Sequence, residues 1–222
     1  MDVRLPGEHY IQIQVDHNLH LDADLAVPKQ AKGLVAFAHG SGSNRHSPRN
    51  RLVARMMHDA ELATLLVSLL TVEEEAEDLI KGNLRFDIDL LGRRLISVTD
   101  WLQQNKETDT LKIGLFGSST GAAGALIAAA ERPDAIAAVV SRGGRPDLAM
   151  KVLPRVKAPT LLIVGGNDYP VIDMNRTAFT SIRAVKNLVI VPGATHLFEE
   201  PGTLEKVAEL AKDWFAKYLG GD

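Results

Sequence analysis

The chain has 222 residues, 45% of them hydrophobic and 24% charged, with a formal net charge of −3 at pH 7. That length can bury one substantial core, and the even charge balance offers no basic surface for nucleic acid or an anionic membrane. With no cysteine, disulfides, thiolate metal sites and a thiol nucleophile are all excluded.

Met1 to Glu8 lack the apolar core of a secretory signal, and no apolar run approaches the roughly 20 residues of a membrane helix. The expectation is a cytoplasmic protein with no membrane partner. Tyr10–Val15 alternates Ile11, Ile13 and Val15 with Gln12 and Gln14, the pattern of a half-exposed antiparallel strand. Asp16-His17-Asn18 then reads as a turn into a second strand over Leu19–Val27. His9, His17 and His20 stand at no metal-ligand spacing and read as surface residues, so no metal is expected.

The rhythm then changes to short, fully apolar runs alternating with helix-length segments. Strands are expected at Gly33–Ala38, Thr64–Leu70, Leu111–Phe116, Ala135–Val140, Thr160–Val164 and Leu188–Val191. Helices are expected around Asn50–Ala60, Phe86–Gln104, Ala122–Ala130 and Thr203–Leu219. In the last, Leu204, Val207, Leu210, Ala211, Trp214, Phe215 and Tyr218 recur at a spacing of three to four, so one face packs on a core. Runs apolar throughout suit strands buried on both faces of a parallel sheet. The expected fold is α/β: a mostly parallel eight-stranded sheet flanked by helices, with no large lid, as one domain over residues 1–222. The acidic run from Glu73 to Asp78 reads as a solvated loop, with a small lid over the site as the alternative.

Polar, glycine-rich segments follow the strands, and ligands of such sheets bind outside the strand carboxyl ends. Gly117-Ser118-Ser119-Thr120-Gly121 is a G-x-S-x-G pattern between a strand and a strong helix former. That placement lifts the Ser119 hydroxyl onto a sharp bend at the positive end of a helix dipole. Ser118 is a flanking turn residue. The glycines of Gly117–Gly124 do not follow the G-x-G-x-x-G spacing, so no dinucleotide or other cofactor is expected.

A serine hydroxyl needs a base, and the base needs an orienting acid. His196 and Asp168 each follow an expected strand, giving the chain order Ser119, Asp168, His196. Asp168 could instead cap a helix or serve the Asn167-Asp168 turn. Asp173 is the rival acid. The oxyanion of a tetrahedral intermediate needs two N–H donors, for which the amides of Ser41 and Thr120 are the candidates. His39 reads as a brace for its own loop.

These motifs resemble the α/β-hydrolase superfamily, and within it the lidless dienelactone hydrolase-like group. The resemblance runs from His39-Gly40-Ser41-Gly42 through the Ser119 turn and Gly165-Gly166-Asn167-Asp168 to Gly193-Ala194-Thr195-His196. It implies carboxylic-ester hydrolysis through an acyl-enzyme. Dienelactone hydrolases proper use a cysteine nucleophile. The serine here favours a general serine esterase or another relative of the group, and the lack of a cap-length insertion between the strands suits small soluble esters or lactones.

Two basic loops, Ser43–Arg51 and Ser141–Asp147, follow strands at the expected rim. Arg45, Arg142 and Arg145 are candidates for binding an anionic substrate. The competing reading pairs these arginines with Glu73–Asp78 or Glu199-Glu200 to pin loops. Acyl transfer to an acceptor other than water, peptide hydrolysis, and a non-catalytic binding module on the same fold stay open. The oligomeric state is not legible.

Overall fold

The structure is a computed structural model that describes residues 4–220. Eight strands form one sheet: β1 (His9–Asp16), β2 (Leu19–Ala26), β3 (Leu34–Ala38), β4 (Ala63–Val67), β5 (Ile113–Ser118), β6 (Ile136–Arg142), β7 (Thr160–Gly165) and β8 (Lys186–Val191). Six α-helices connect or flank them: α1 (Pro48–Asp59), α2 (Val72–Lys81), α3 (Ile88–Leu102), α4 (Thr120–Glu131), α5 (Tyr169–Ser181) and α6 (Thr203–Leu219). The strand order is β1-β2-β4-β3-β5-β6-β7-β8. β1 pairs antiparallel with β2 and β2 antiparallel with β4, while every later pairing is parallel. This is the expected mostly parallel sheet, and among the described residues no large insertion covers it.

The two-residue period of a strand explains why the central runs are apolar throughout. Along β3, Leu34, Ala36 and Ala38 join one core while Val35 and Phe37 join the other. The first core lies under α3 and α4, the second under α1 and α6. Phe37 and Phe116 tilt together in the second core with ring centroids 5.1 Å apart. Burying both faces carries all six parallel strand ends to one edge of the molecule, where the site lies.

Two expectations are corrected. The strand expected over Thr64–Leu70 ends at Val67. The N–H of Leu69 donates to His39 Nε2 at 2.8 Å and its carbonyl accepts from Arg94, so side chains take the groups a ladder would use. The acidic run is not a loop but helix α2. Thr71 and Glu74 form a reciprocal capping box at its start, and Gly82 closes it at φ 64°. The Thr-x-x-Glu signal at 71–74 was present in the sequence.

Among the described residues no helix is long and apolar enough to cross a membrane. No group of three or more of them could hold a metal ion.

Candidate active site

The turn between β5 and α4 is built around Ser119, which has φ 50° and ψ −123°. A non-glycine residue held there is strained, and the surroundings must impose it. The end of β6 and the loop after it do so from one side. Ser119 N–H donates to the Arg142 carbonyl at 3.3 Å, and Arg145 N–H donates to the Ser119 carbonyl at 3.1 Å. Close packing does so from the other: a Cβ added at Gly121 would lie 2.4 Å from the carbonyl oxygens of Ala38 and His39. The Ser118 hydroxyl donates to Asn50 Oδ1 at 3.1 Å in a buried bond that ties the turn to α1. Of the two serines, only Ser119 remains for chemistry.

Asp168 follows β7 and occupies the N-cap position of α5, yet its side chain makes no cap bond. Its Oδ2 lies 2.6 Å from His196 Nδ1 instead. The carboxylate is largely shielded while the imidazole is about 40% exposed. Asp173, by contrast, sits within α5 and pairs with Arg176 in solvent. The two loops are locked together. Asn167 N–H donates to the Ala194 carbonyl at 2.9 Å, and Asn167 Nδ2 to that of Gly193 at 3.0 Å. Glu200 then accepts from the Thr195 amide and hydroxyl at 3.0 and 2.6 Å, which fixes the backbone beside His196.

The loop after β3 completes the site. A Cβ at Gly40 would come 2.9 Å from the Ser119 Cβ, so only glycine lets this loop approach Ser119 so closely. His39 is buried, donates through Nδ1 to the Gly40 carbonyl at 3.0 Å and accepts the Leu69 N–H. Burial pushes it down to about 4, so it is neutral at pH 7 and braces the loop. The amides of Ser41 and Thr120 bond no other protein group among the described residues.

Two cavities meet at Gly40-Ser41. One, of about 210 Å³, is lined by Ser119, His196, Arg142, Arg49, Asn50 and Ser41 among others. The other, of about 200 Å³, is lined by Ser41, Thr120, Leu70, Leu79, Leu91 and Glu75 among others, with α2 as its outer wall. Ser119, His196 and Ser41 thus share a cavity, and Thr120 opens onto its neighbour.

The arginines separate. Arg142, 6% exposed, lines the Ser119 cavity. Burial, reinforced by the nearby charge of Arg49, pushes it down to about 10. Arg45 and Arg145 do not reach the cavity, contrary to expectation. Arg45 lies 3.4 Å from Asp24 and 3.7 Å from Asp22, over the Tyr10 ring. Arg145 holds Asp147 through two bonds of 2.9 and 2.8 Å. Arg49, which spacing alone did not single out, lines the cavity from the first turn of α1 and reaches Glu199 at 3.2 Å. Arg45, Arg51 and Arg145 pin loops through Glu8, Asp22, Asp24 and Asp147, none of them the expected carboxylates, while Arg49 uses the expected Glu199.

The dienelactone hydrolase family model matches residues 71–219. A crystal structure of dienelactone hydrolase from Anabaena variabilis is 57% identical, with a TM-score of 0.94 over 96% of this chain and 98% of that one. Proteins of two Mycobacterium tuberculosis strains, each named "Putative phosphoribosyl transferase", are 56% identical over 197 residues. That match covers 89% of this chain but 44% of theirs, so the chain spans less than half the length of these relatives. Est1E from Butyrivibrio proteoclasticus shares the fold at a TM-score of 0.79 and 16% identity, covering 94% of this chain and 98% of its own.

Proposed function

The chain belongs to the dienelactone hydrolase family, and on that premise we propose that it is a serine hydrolase cleaving carboxylic esters or lactones of small molecules through an acyl-enzyme. One observation carries the reading. Asp168 holds His196 through Nδ1 at 2.6 Å, which leaves Nε2 as the free nitrogen in a cavity that Ser119 also lines.

In the first step Ser119 Oγ bonds to the substrate carbonyl carbon, and its proton passes to His196 Nε2. Asp168 fixes the tautomer and offsets the imidazolium charge. The carbonyl oxygen takes the negative charge, facing the Ser41 and Thr120 amides, which need no reorganisation to receive it. Collapse breaks the bond to the leaving oxygen, which takes the proton from Nε2. Water then repeats the sequence on the acyl-serine. It gives its proton to His196, adds to the carbonyl and releases the acid, and the proton returns to Ser119. The strained turn favours this by holding Oγ clear of the helix. No cofactor or metal is invoked, and the substrate is read as a small molecule bearing an anionic group near Arg142.

The test is labelling with a fluorophosphonate probe together with a panel of esters, lactones and thioesters. Wild-type protein is labelled on Ser119 and turns over part of the panel. Ser119→Ala loses both, with kcat falling on the order of 10⁴-fold or more. Wild-type turnover in Ser119→Ala overturns the assignment.

A further inference from the structure

We propose that Arg142 and Arg49 form a binding subsite for a phosphate group carried by the substrate, beside the carbonyl that Ser119 attacks. The proposal rests on Ser119 being the nucleophile. The phosphate is held, not cleaved.

Arg142 ends β6 in register with Ser118, and its side chain lines the Ser119 cavity. It is 6% exposed, and among the described residues no carboxylate lies within ion-pair distance of it. Its Nε is buried without a hydrogen-bond partner. The Phe198 ring, 5.9 Å from the guanidinium carbon, supports one face of the fork. A buried cation with no counter-charge is costly unless something supplies the charge. Arg94, comparably buried, is paired with Glu74. Arg142 faces a cavity instead.

Arg49 adds a second cation to the same cavity. Its Nε is also buried and unpartnered, and Glu199, its one carboxylate, is 63% exposed, so the pair is screened by solvent. Two neutral side chains, Asn50 and Ser47, line the same cavity. Asn50 Oδ1 accepts from Ser118, which turns the Nδ2 donors to other use. Ser47 Oγ accepts the Asn50 amide as the N-cap of α1, leaving its own proton free. The α1 dipole has its positive end here.

The donor set selects the anion. A carboxylate is planar, carries one charge and is satisfied by a single guanidinium fork. Two forks from different elements, with Asn50 and Ser47 lining the same cavity, suit the several oxygens around a tetrahedral phosphorus better than the two of a carboxylate. The charge of a phosphate monoester, about −1.5 to −2 at pH 7, offsets both cations.

The test measures binding by calorimetry at fixed ionic strength, with inorganic phosphate and acetate as separate titrants. Wild-type protein and Ser119→Ala bind one phosphate per chain, and acetate binds at least about tenfold more weakly. Arg49→Gln and Arg142→Gln each weaken phosphate about tenfold or more, the loss expected for one charged hydrogen-bonding partner. Because Arg142 is buried, Arg142→Lys is included. It keeps the charge but not the fork, and it too weakens binding. Phosphate also slows fluorophosphonate labelling of Ser119 in the wild type. Equal phosphate affinity in wild type, Arg49→Gln and Arg142→Lys overturns the subsite, as does acetate binding as tightly as phosphate. Phosphate binding without any labelling of Ser119 would sink the hydrolase reading alone, so the two failures are distinguishable.

Discussion

Asp168 and His196 meet at 2.6 Å from loops that leave neighbouring strands, with Asp168 at a helix N-cap it does not cap. The carboxylate is thereby available to hold one imidazole tautomer. Asp168→Asn keeps the shape but favours the other tautomer, and kcat is expected to fall on the order of 10⁴-fold. Asp173→Asn, in solvent on α5, leaves kcat unchanged. Steady-state rates on the best ester of the panel decide between them, with circular dichroism confirming the fold.

The adjacent serines differ in what they touch. Ser118→Ala removes the buried bond to Asn50 and costs about 1 kcal/mol in denaturant unfolding. It keeps fluorophosphonate labelling, which Ser119→Ala abolishes.

Gly40→Ala introduces a Cβ 2.9 Å from the Ser119 Cβ. Either the loop or Ser119 must shift, and a misplacement of that kind is expected to cost on the order of 10²-fold in kcat/KM. Stability falls by roughly 1–3 kcal/mol, as overpacking usually costs. A variant with full kcat/KM would show that this loop has slack.

His39 carries a pH prediction. Its folded-state value, about 4, lies below the ordinary 6.5, because burial disfavours the cation. Between those values the unfolded chain binds the proton and the folded chain does not. Stability therefore rises with pH across this window and is lost as pH falls through it, by up to roughly 3 kcal/mol. Urea unfolding at pH 7, 5.5 and 4.5 measures this slope. His39→Gln, which removes the titrating group, flattens it.

Arg94 holds α2 in place: it donates to the Leu69 carbonyl and reaches Glu74 Oε2 at 2.6 Å. Arg94→Met leaves the Leu69 carbonyl unpaired and frees the helix that walls the second cavity. Faster amide exchange over residues 71–82 and a loss of about 1–3 kcal/mol are expected.

Much of this was legible in the chain because it is local. The final helix runs over Thr203–Leu219 as its spacing implied. The apolar runs became strands buried on both faces because period-two side chains meet helices on either side. The Ser119 turn was readable because strand, glycines and helix former are contiguous. Helix α2 was missed although its capping box stood at Thr71 and Glu74, since a run of acidic residues masks a signal of two. The end of β4 was not readable, because the groups that take over the Leu69 backbone come from 25 and 30 residues away.

By itself the sequence determined the α/β layering, the strand-end positions of Ser119, Asp168 and His196, and the exclusion of thiol chemistry. All of these follow from residue type and short-range spacing. Only the tertiary structure decided which arginine faces the site. Arg45, Arg49, Arg142 and Arg145 all lie in the two basic segments Ser43–Arg51 and Ser141–Asp147, yet their partners differ. For Arg45 the carboxylate is on β2, for Arg145 it is two residues away, for Arg49 it is 150 residues distant, and for Arg142 the described fold brings none. Pairing of that kind depends on distance in space, which spacing along the chain does not encode.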